Sequence, residues 1–215
     1  MKNLLLAAEK FEKLTDSVGK IVKNNDEILK EISSLKDFDD RVELAEESFD
    51  KLGEGSSRTI FQISDSLVLK IAHSDKGLAQ NSAEMSMRGE CLNNVLAADT
   101  ESKWIIVRWT ETMTEEDFED AVGISFKTFG KAIYWTFNNE VHEGKPEEYD
   151  EIVKNTLYRC LSKLILDKQL QVGDAIKISS WGMLDGKPLL RDFGLTKDVY
   201  TEYYEDDSDN NTVTV

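Results

Sequence analysis

The hydrophobic period of this chain changes twice, and that change bounds the fold more tightly than any single residue. From Leu4 to Leu35 apolar residues (Leu4, Ala8, Phe11, Leu14, Val18, Val22, Leu29, Ile32, Leu35) recur at helical spacing, with Lys and Glu between them. Asn24-Asn25 followed by Asp26 and Glu27 reads as a stop and a fresh start, so two helices are predicted there. Around Ser48 the texture turns to strand formers: Phe49 and Leu52, then Ile60, Phe61 and Ile63, and past Ser64-Asp65-Ser66 the run Leu67 to Ile71. Residues 75–92 are predicted helical, and 93–99 and 104–109 read as two further strands. Helical spacing resumes from Thr114 through Phe118, Val122, Phe126, Phe129, Ile133 and Phe137, and again over 147–168 after Gly144-Lys145-Pro146. Finally Asp185-Gly186, flanked by 176–184 and 188–191, is the strongest hairpin signal in the chain. Helices, then a small sheet, then helices, with no internal repeat, give an α+β chain.

With 215 residues this is one domain, or a small one with an appendage. Asp and Glu number 42 against 26 Lys and Arg, a net charge of −16. Such a surface repels phosphate backbones and anionic lipid, so neither nucleic acid nor membrane is an expected partner. An acidic decoy that mimics nucleic-acid charge, prompted by runs such as Glu111 to Asp120, is the third of three readings of function. The apolar run Leu4 to Ala8 is too short for a membrane span or a signal-peptide core, which points to a cytoplasmic protein. Cys91 and Cys160 lack CxxC spacing and have only His73 and His142 for company, so two buried free thiols are expected. The four tryptophans (Trp104, Trp109, Trp135, Trp181) read as core or cleft-wall residues.

The chemistry-bearing residues fall in three places. Leu52-Gly53-Glu54-Gly55-Ser56-Ser57-Arg58 lies between two strand patterns, where glycines let backbone amides close over an anionic group. Arg58 would either touch that anion or face solvent. Val68-Leu69-Lys70-Ile71-Ala72 sets a lysine inside an apolar strand, and Glu84 in the next helix, with Glu90 as the alternative, is its natural ion-pair partner. Leu189-Leu190-Arg191-Asp192-Phe193-Gly194 follows the hairpin directly, and Asp174, in Val172-Gly173-Asp174, lies 18 residues before Asp192.

Over roughly residues 48–196 these motifs resemble the protein-kinase-like superfamily: a glycine-rich hairpin, a VAIK-like lysine, an HGD-type catalytic loop and a DFG triad. The resemblance implies a two-lobed fold: a five-stranded antiparallel N-lobe sheet with one helix, and a truncated helical C-lobe, with ATP in the cleft. The implied organisation is an N-terminal helical arm at 1–47, the N-lobe at 48–110, the C-lobe at 111–200 and an acidic, solvated tail at 201–215. By the same resemblance Asp174 would orient the attacking hydroxyl, Lys70 would hold the phosphates with Glu84, and Asp192 would hold Mg2+. Gly53, Gly55 and Ser56 would cover the nucleotide, and Trp109 and Thr110 would begin the hinge under adenine.

Two departures bear on activity. Val172 stands for the catalytic-loop histidine, and Ser179 stands where such enzymes carry the asparagine that ligates a second metal; serine is a shorter, weaker ligand, but Ser179, or Ser180 through water, would still complete a magnesium shell. Only 21 residues follow Gly194, so no activation segment or late helices are expected. That resembles minimal kinases of bacterial effectors and phage, whose site of action would be the host cytoplasm. The first reading is therefore an ATP- and Mg2+-dependent phosphotransferase acting on an unknown hydroxyl, with a protein hydroxyl among the options. The second is a pseudokinase: a nucleotide-gated module whose helical arm engages a protein partner.

Overall fold

A computed structural model describes residues 16, 19–137 and 145–205. The apolar positions Leu4 to Leu14 and Val18, the residue His142 and the acidic run from Asp206 lie outside the described residues. The chain is α+β and divides into two compact units. One holds the described residues up to Leu78 together with Val95–Trp109, and the other holds Ala79–Asn94 together with the described residues from Thr110 onward.

The first unit is built on a five-stranded antiparallel sheet. Its strands are β1 (Asp50–Glu54), β2 (Arg58–Ser64), β3 (Leu67–Ala72), β4 (Ala97–Ala98) and β5 (Trp104–Arg108), in the order β1-β2-β3-β5-β4. All six residues of β3 are buried, as expected of the central strand of a sheet covered on both faces. Helix α1 (Asp26–Ser34) starts with Asp26 and Glu27, acids that favour the positive end of the helix dipole. Asn25 is a single turn residue between helical residues 19–24 and α1, so the predicted break there is slight. The larger break lies at residues 35–37, where Asp37 caps helix α2 (Phe38–Ser48) by accepting from the Asp39 amide at 2.9 Å. Leu29, Ile32 and Ala45 from these helices share one apolar cluster with Phe61, Leu67, Leu69, Ile71, Trp104 and Ile106 of the sheet. Helix α3 (Asp75–Ser86) follows β3 and stops six residues short of the predicted end at 92.

The second unit is mostly helical. Thr114 opens helix α4 (Glu115–Val122) with a capping box: its hydroxyl accepts from the Asp117 amide while the Asp117 carboxylate accepts from the Thr114 amide. The Thr114 hydroxyl, which also donates to that carboxylate at 2.7 Å, and after it the Thr114 amide hold the Asp117 carboxyl below its ordinary value. Gly123, left-handed at φ 74°, ends α4, so the helix predicted from Thr114 to Phe137 is two, the second being α5 (Phe126–Phe137). The helix predicted over 147–168 is likewise split into α6 (Tyr149–Ile152) and α7 (Thr156–Lys168). The Asn155 side chain, accepting from the Leu157 amide at 2.8 Å, starts the second of these. The short helix α8 (Val172–Ala175) and a 3₁₀ turn (Ile178–Ser180) lead into a second sheet. It is ordered β6 (Glu111–Thr112), β7 (Trp181–Leu184), β8 (Lys187–Leu190) and followed by α9 (Lys197–Tyr203). Asp185 and Gly186 turn between β7 and β8 with φ 50° and 72°, the two positive angles that a type I′ hairpin needs.

Trp181 and Phe118, both fully buried, centre the core of this unit. Their rings meet edge to face at 5.7 Å, and Phe126 meets Phe118 the same way at 5.0 Å. Trp104 is also buried, whereas Trp109 and Trp135 are each 36% exposed.

The two cysteines depart from expectation. Cys91 and Cys160, 69 residues apart, form a disulfide, and the described residues hold no free thiol. The sequence neighbourhood of each cysteine is silent on this; the bond depends on the loop after α3 lying against α7.

Candidate functional site

In the first unit, β1 and β2 are joined by Gly55-Ser56-Ser57, and the Gly55 amide donates to the Arg58 carbonyl at 2.9 Å. A Cβ added at Gly53 would meet nothing within 4 Å, and one at Gly55 only the Arg58 carbonyl at 3.7 Å. Both glycines thus leave space beside the hairpin backbone that a side chain would otherwise enter. Ser56 is exposed at its tip. Arg58 is 6% exposed, which removes the solvent-facing alternative: its register opposite Ala72 turns it into the sheet.

Lys70 stands at the middle of β3, with Ile60 and Ile105 as its cross-strand neighbours, and is 6% exposed. An ammonium there is tolerable only with an anionic partner, because desolvation disfavours its charge. Glu84, on α3 in the second unit, is fully buried. The Trp109 amide donates to the Ser66 carbonyl at 2.8 Å and so cannot serve as a hinge donor. Thr110, 7% exposed, packs on Gly182, where an added Cβ would come within 2.3 Å of its hydroxyl.

The second unit brings the remaining predicted residues together through backbone. The Gln171 amide donates to the Leu195 carbonyl and the Lys197 amide to the Gln169 carbonyl, each at 2.9 Å. Leu170 forms an antiparallel bridge with Thr196. The Asp174 segment thus runs beside the segment that follows Asp192. The Ser180 carbonyl accepts from the amides of Arg191 and Asp192 at 2.8 and 3.3 Å, tying the 3₁₀ turn to the base of the Asp192 loop. Asp174 is half-sheltered, its side chain 14% exposed, with the Lys177 ammonium 3.4 Å from Oδ1. The Trp181 indole N–H donates to the Ala175 carbonyl at 3.0 Å and fixes α8, which carries Asp174, to the aromatic core.

Asp192 is exposed, whereas Phe193 is fully buried beside it. Gly194 lies so close to α3 that an added Cβ would sit 2.8 Å from the Gln80 carbonyl. Ser179 is exposed, and its carbonyl accepts from Nε and Nη2 of Arg191 at 3.3 and 3.2 Å. Burial lowers the Arg191 pKa and the neighbouring Asp192 carboxylate opposes that shift. This guanidinium clamp was not predicted from sequence, although Arg191 adjoins the motif.

Among the described residues no three His, Cys, Asp or Glu side chains gather as a ready-made metal cage. Asp192 alone, exposed on a braced loop, suits a magnesium ion that takes one protein carboxylate and keeps waters and phosphate oxygens for the rest of its shell. A groove of about 840 Å³ in the same unit is lined by Lys127, Lys131, Tyr134 and Trp135 of α5 together with Glu147 and Ile176. Ile176 touches Gly130 and follows Asp174 by two residues, so the groove reaches the element that carries this carboxylate. Among the described residues no helix is long and apolar enough to cross a membrane.

No family model and no curated protein matches the chain. Among solved structures, the streptomycin–ATP–APH(2″)-IIa ternary complex is similar at 14% identity, over 74% of this chain and 71% of that one, with a TM-score of 0.33.

Proposed function

We propose that the chain is a kinase-like phosphotransferase that binds ATP with Mg2+ and passes the terminal phosphoryl group to a hydroxyl. The observation that carries this reading is the backbone ladder of the second unit. Residues 169–171 lie along 195–197, and the Ser180 carbonyl holds the amides of Arg191 and Asp192. A structural loop would not need two carboxylates, Asp174 and Asp192, on segments braced against each other. The metal-bound nucleotide would supply the transferable group and neutralise its charge.

The roles left to the chain follow from chemistry. Asp192 would hold the metal. Lys70, set rigidly in β3, would neutralise phosphate charge, with Glu84 as its predicted counter-ion. The glycine hairpin at Gly53, Gly55 and Ser56 would cover the phosphates closely, with the Gly55 amide already given to the Arg58 carbonyl and so shaping the turn rather than donating. Asp174 would accept the proton of the incoming hydroxyl and orient it, with the Lys177 ammonium 3.4 Å from its Oδ1. The acceptor would approach along the groove that ends at Ile176.

The test is nucleotide binding by calorimetry with and without Mg2+, followed by turnover. Magnesium-dependent binding that disappears in Asp192→Ala supports the reading, and absence of binding to the unaltered protein overturns it. Asp174→Ala should keep binding and lose turnover by roughly 10²- to 10⁴-fold; equal turnover would remove Asp174 from its role.

A second reading, a nucleotide-gated pseudokinase that binds a protein partner, is favoured by Ser179. Its side chain is exposed and short, and its backbone is already engaged by Arg191. Binding without turnover at any acceptor would select this reading.

A further inference from the structure

The Cys91–Cys160 bridge borders a groove of about 290 Å³ lined by both cysteines together with Val122, Asn155, Leu157 and Pro188. The two cysteines are not equivalent. Cys91 is 2% exposed, whereas Cys160, on α7, is only half-buried. The Cys91 amide points at the Cys160 sulfur at 3.2 Å, a contact that favours negative charge on that sulfur. Gly89 lies against the same sulfur: a Cβ there would be 3.4 Å from Cys160 Sγ.

The loop that Cys91 belongs to also grips the approach to Asp192. The Cys91 carbonyl accepts from the Leu190 amide at 2.8 Å, the Asn93 amide donates to the Leu190 carbonyl at 2.9 Å, and Leu92 pairs with Leu190 in a parallel bridge. Leu190 is two residues before Asp192. Within the loop, the Asn94 side chain bonds the backbone of Gly89 and Leu92. The disulfide is thus the covalent tie between α7 and a three-residue clamp on the end of β8.

From this we infer that the bridge is a thiol–disulfide exchange site, attacked at Cys160 by a dithiol reductant, and that its opening releases the clamp on Leu190. A deprotonated thiol of the reductant forms a bond to Cys160 Sγ, and the Sγ–Sγ bond breaks. Cys91 leaves as a thiolate and takes a proton. The reductant's second thiol, once deprotonated, attacks the reductant's own bonded sulfur and expels Cys160 as a thiolate, which the Cys91 amide stabilises until it is protonated. The net change is two electrons from the dithiol to the bridge, leaving two thiols on the protein and a disulfide on the reductant. The inference stands whether or not the phosphotransferase reading holds, because its readouts are thiols and amides.

The experiment takes the full-length oxidised protein in native buffer. Reduced dithiothreitol is the dithiol, and limiting reduced glutathione, a monothiol, gives a mixed disulfide that early acid quench and alkylation capture. Peptide mass spectrometry should find glutathione on Cys160 and not on Cys91. Hydrogen exchange should then show faster exchange of the Leu190 and Asn93 amides after reduction, by about 10-fold or more, with no such change in the Phe118 and Phe129 amides. Cys160→Ser should reproduce the faster exchange without reductant; should that variant fail to fold, the wild-type pair of measurements decides alone. A bridge that resists native dithiothreitol, an adduct on Cys91, or clamp amides that exchange equally in both redox states would each overturn the inference. So would protein isolated without reductant whose two thiols cannot be closed by oxidised glutathione.

Discussion

Replacing Gly194 with alanine should destabilise the second unit and disturb Asp192, and the size of the effect follows from where the new methyl would go. It would lie 2.8 Å from the Gln80 carbonyl oxygen and from Gln80 Cβ, and 3.0 Å from Gln80 Cα, well inside the 3.4 Å at which ordinary contact begins. Two of these atoms are helix backbone, which cannot swing aside as the end of a side chain would. Overpacking of that kind costs about 1–3 kcal/mol. At roughly 2–4 °C per kcal/mol for a chain of this size, Tm should fall by about 2–12 °C. Gly173→Ala is the control: nothing lies within 4 Å of its Cβ position, and alanine favours the helix it sits in, so stability should hold or rise slightly. Thermal unfolding followed by circular dichroism reads both. A Gly194→Ala midpoint within about 1 °C of wild type would show that α3 and the Asp192 loop can part without cost, and would refute the close-packing argument.

Other expectations follow from buried polar contacts in the same unit. Thr136 donates to the Ala132 carbonyl at 2.8 Å, so its oxygen is left to accept from the hydroxyls of Tyr149 and Tyr158 at 2.8 and 2.6 Å. Thr136→Val should cost about 1–3 kcal/mol by urea denaturation, and a loss below about 0.5 would mean water replaces the threonine. The Tyr158 phenol is pushed up to about 12, chiefly by burial. The folded chain therefore keeps this proton where the unfolded chain, with an ordinary value of 10.0, releases it. Stability from this group is intact below about pH 10 and falls as pH rises from about 10 to about 12; Tyr158→Phe should flatten that part of the curve, and an unchanged slope would refute it. Trp181→Phe removes the donor to Ala175 and opens a small cavity, for an expected loss of about 2–4 kcal/mol in urea, with weakened turnover if α8 positions Asp174.

The parts of this fold legible in sequence were those set by local rules. The Asp185-Gly186 turn demands two positive φ angles and got them, and the apolar run around Lys70 reads as a strand, which the structure places as β3 in the middle of the sheet. Helix breaks were harder to see. Apolar periodicity continues across Gly123 and across Asn155 because the helices on either side bury their faces in the same core, so only the caps mark the ends. The ladder beside Asp174 was foreshadowed by an 18-residue spacing, but the Arg191 clamp on Ser179 was not, since a guanidinium's target is set by tertiary proximity. The same holds for the disulfide and for Arg58, whose burial follows from sheet register rather than from its glycine-loop neighbours.

The five-stranded sheet ends in β1 on one side and β4 on the other. A free edge is an invitation to add a strand from another copy, the first step of aggregation. Here β4 is two residues long. β1 carries Asp50, Lys51 and Glu54, with a register shift between Lys51 and Gly53 that interrupts its ladder. Lys51 reaches Glu46 at 2.8 Å and Glu54 at 2.7 Å, laying a charged strap along the exposed rim. An incoming strand would have to strip water from those charges and match a broken register. The glycine hairpin at the end of β1 can therefore stay uncluttered by side chains without inviting a neighbouring chain to pair with it.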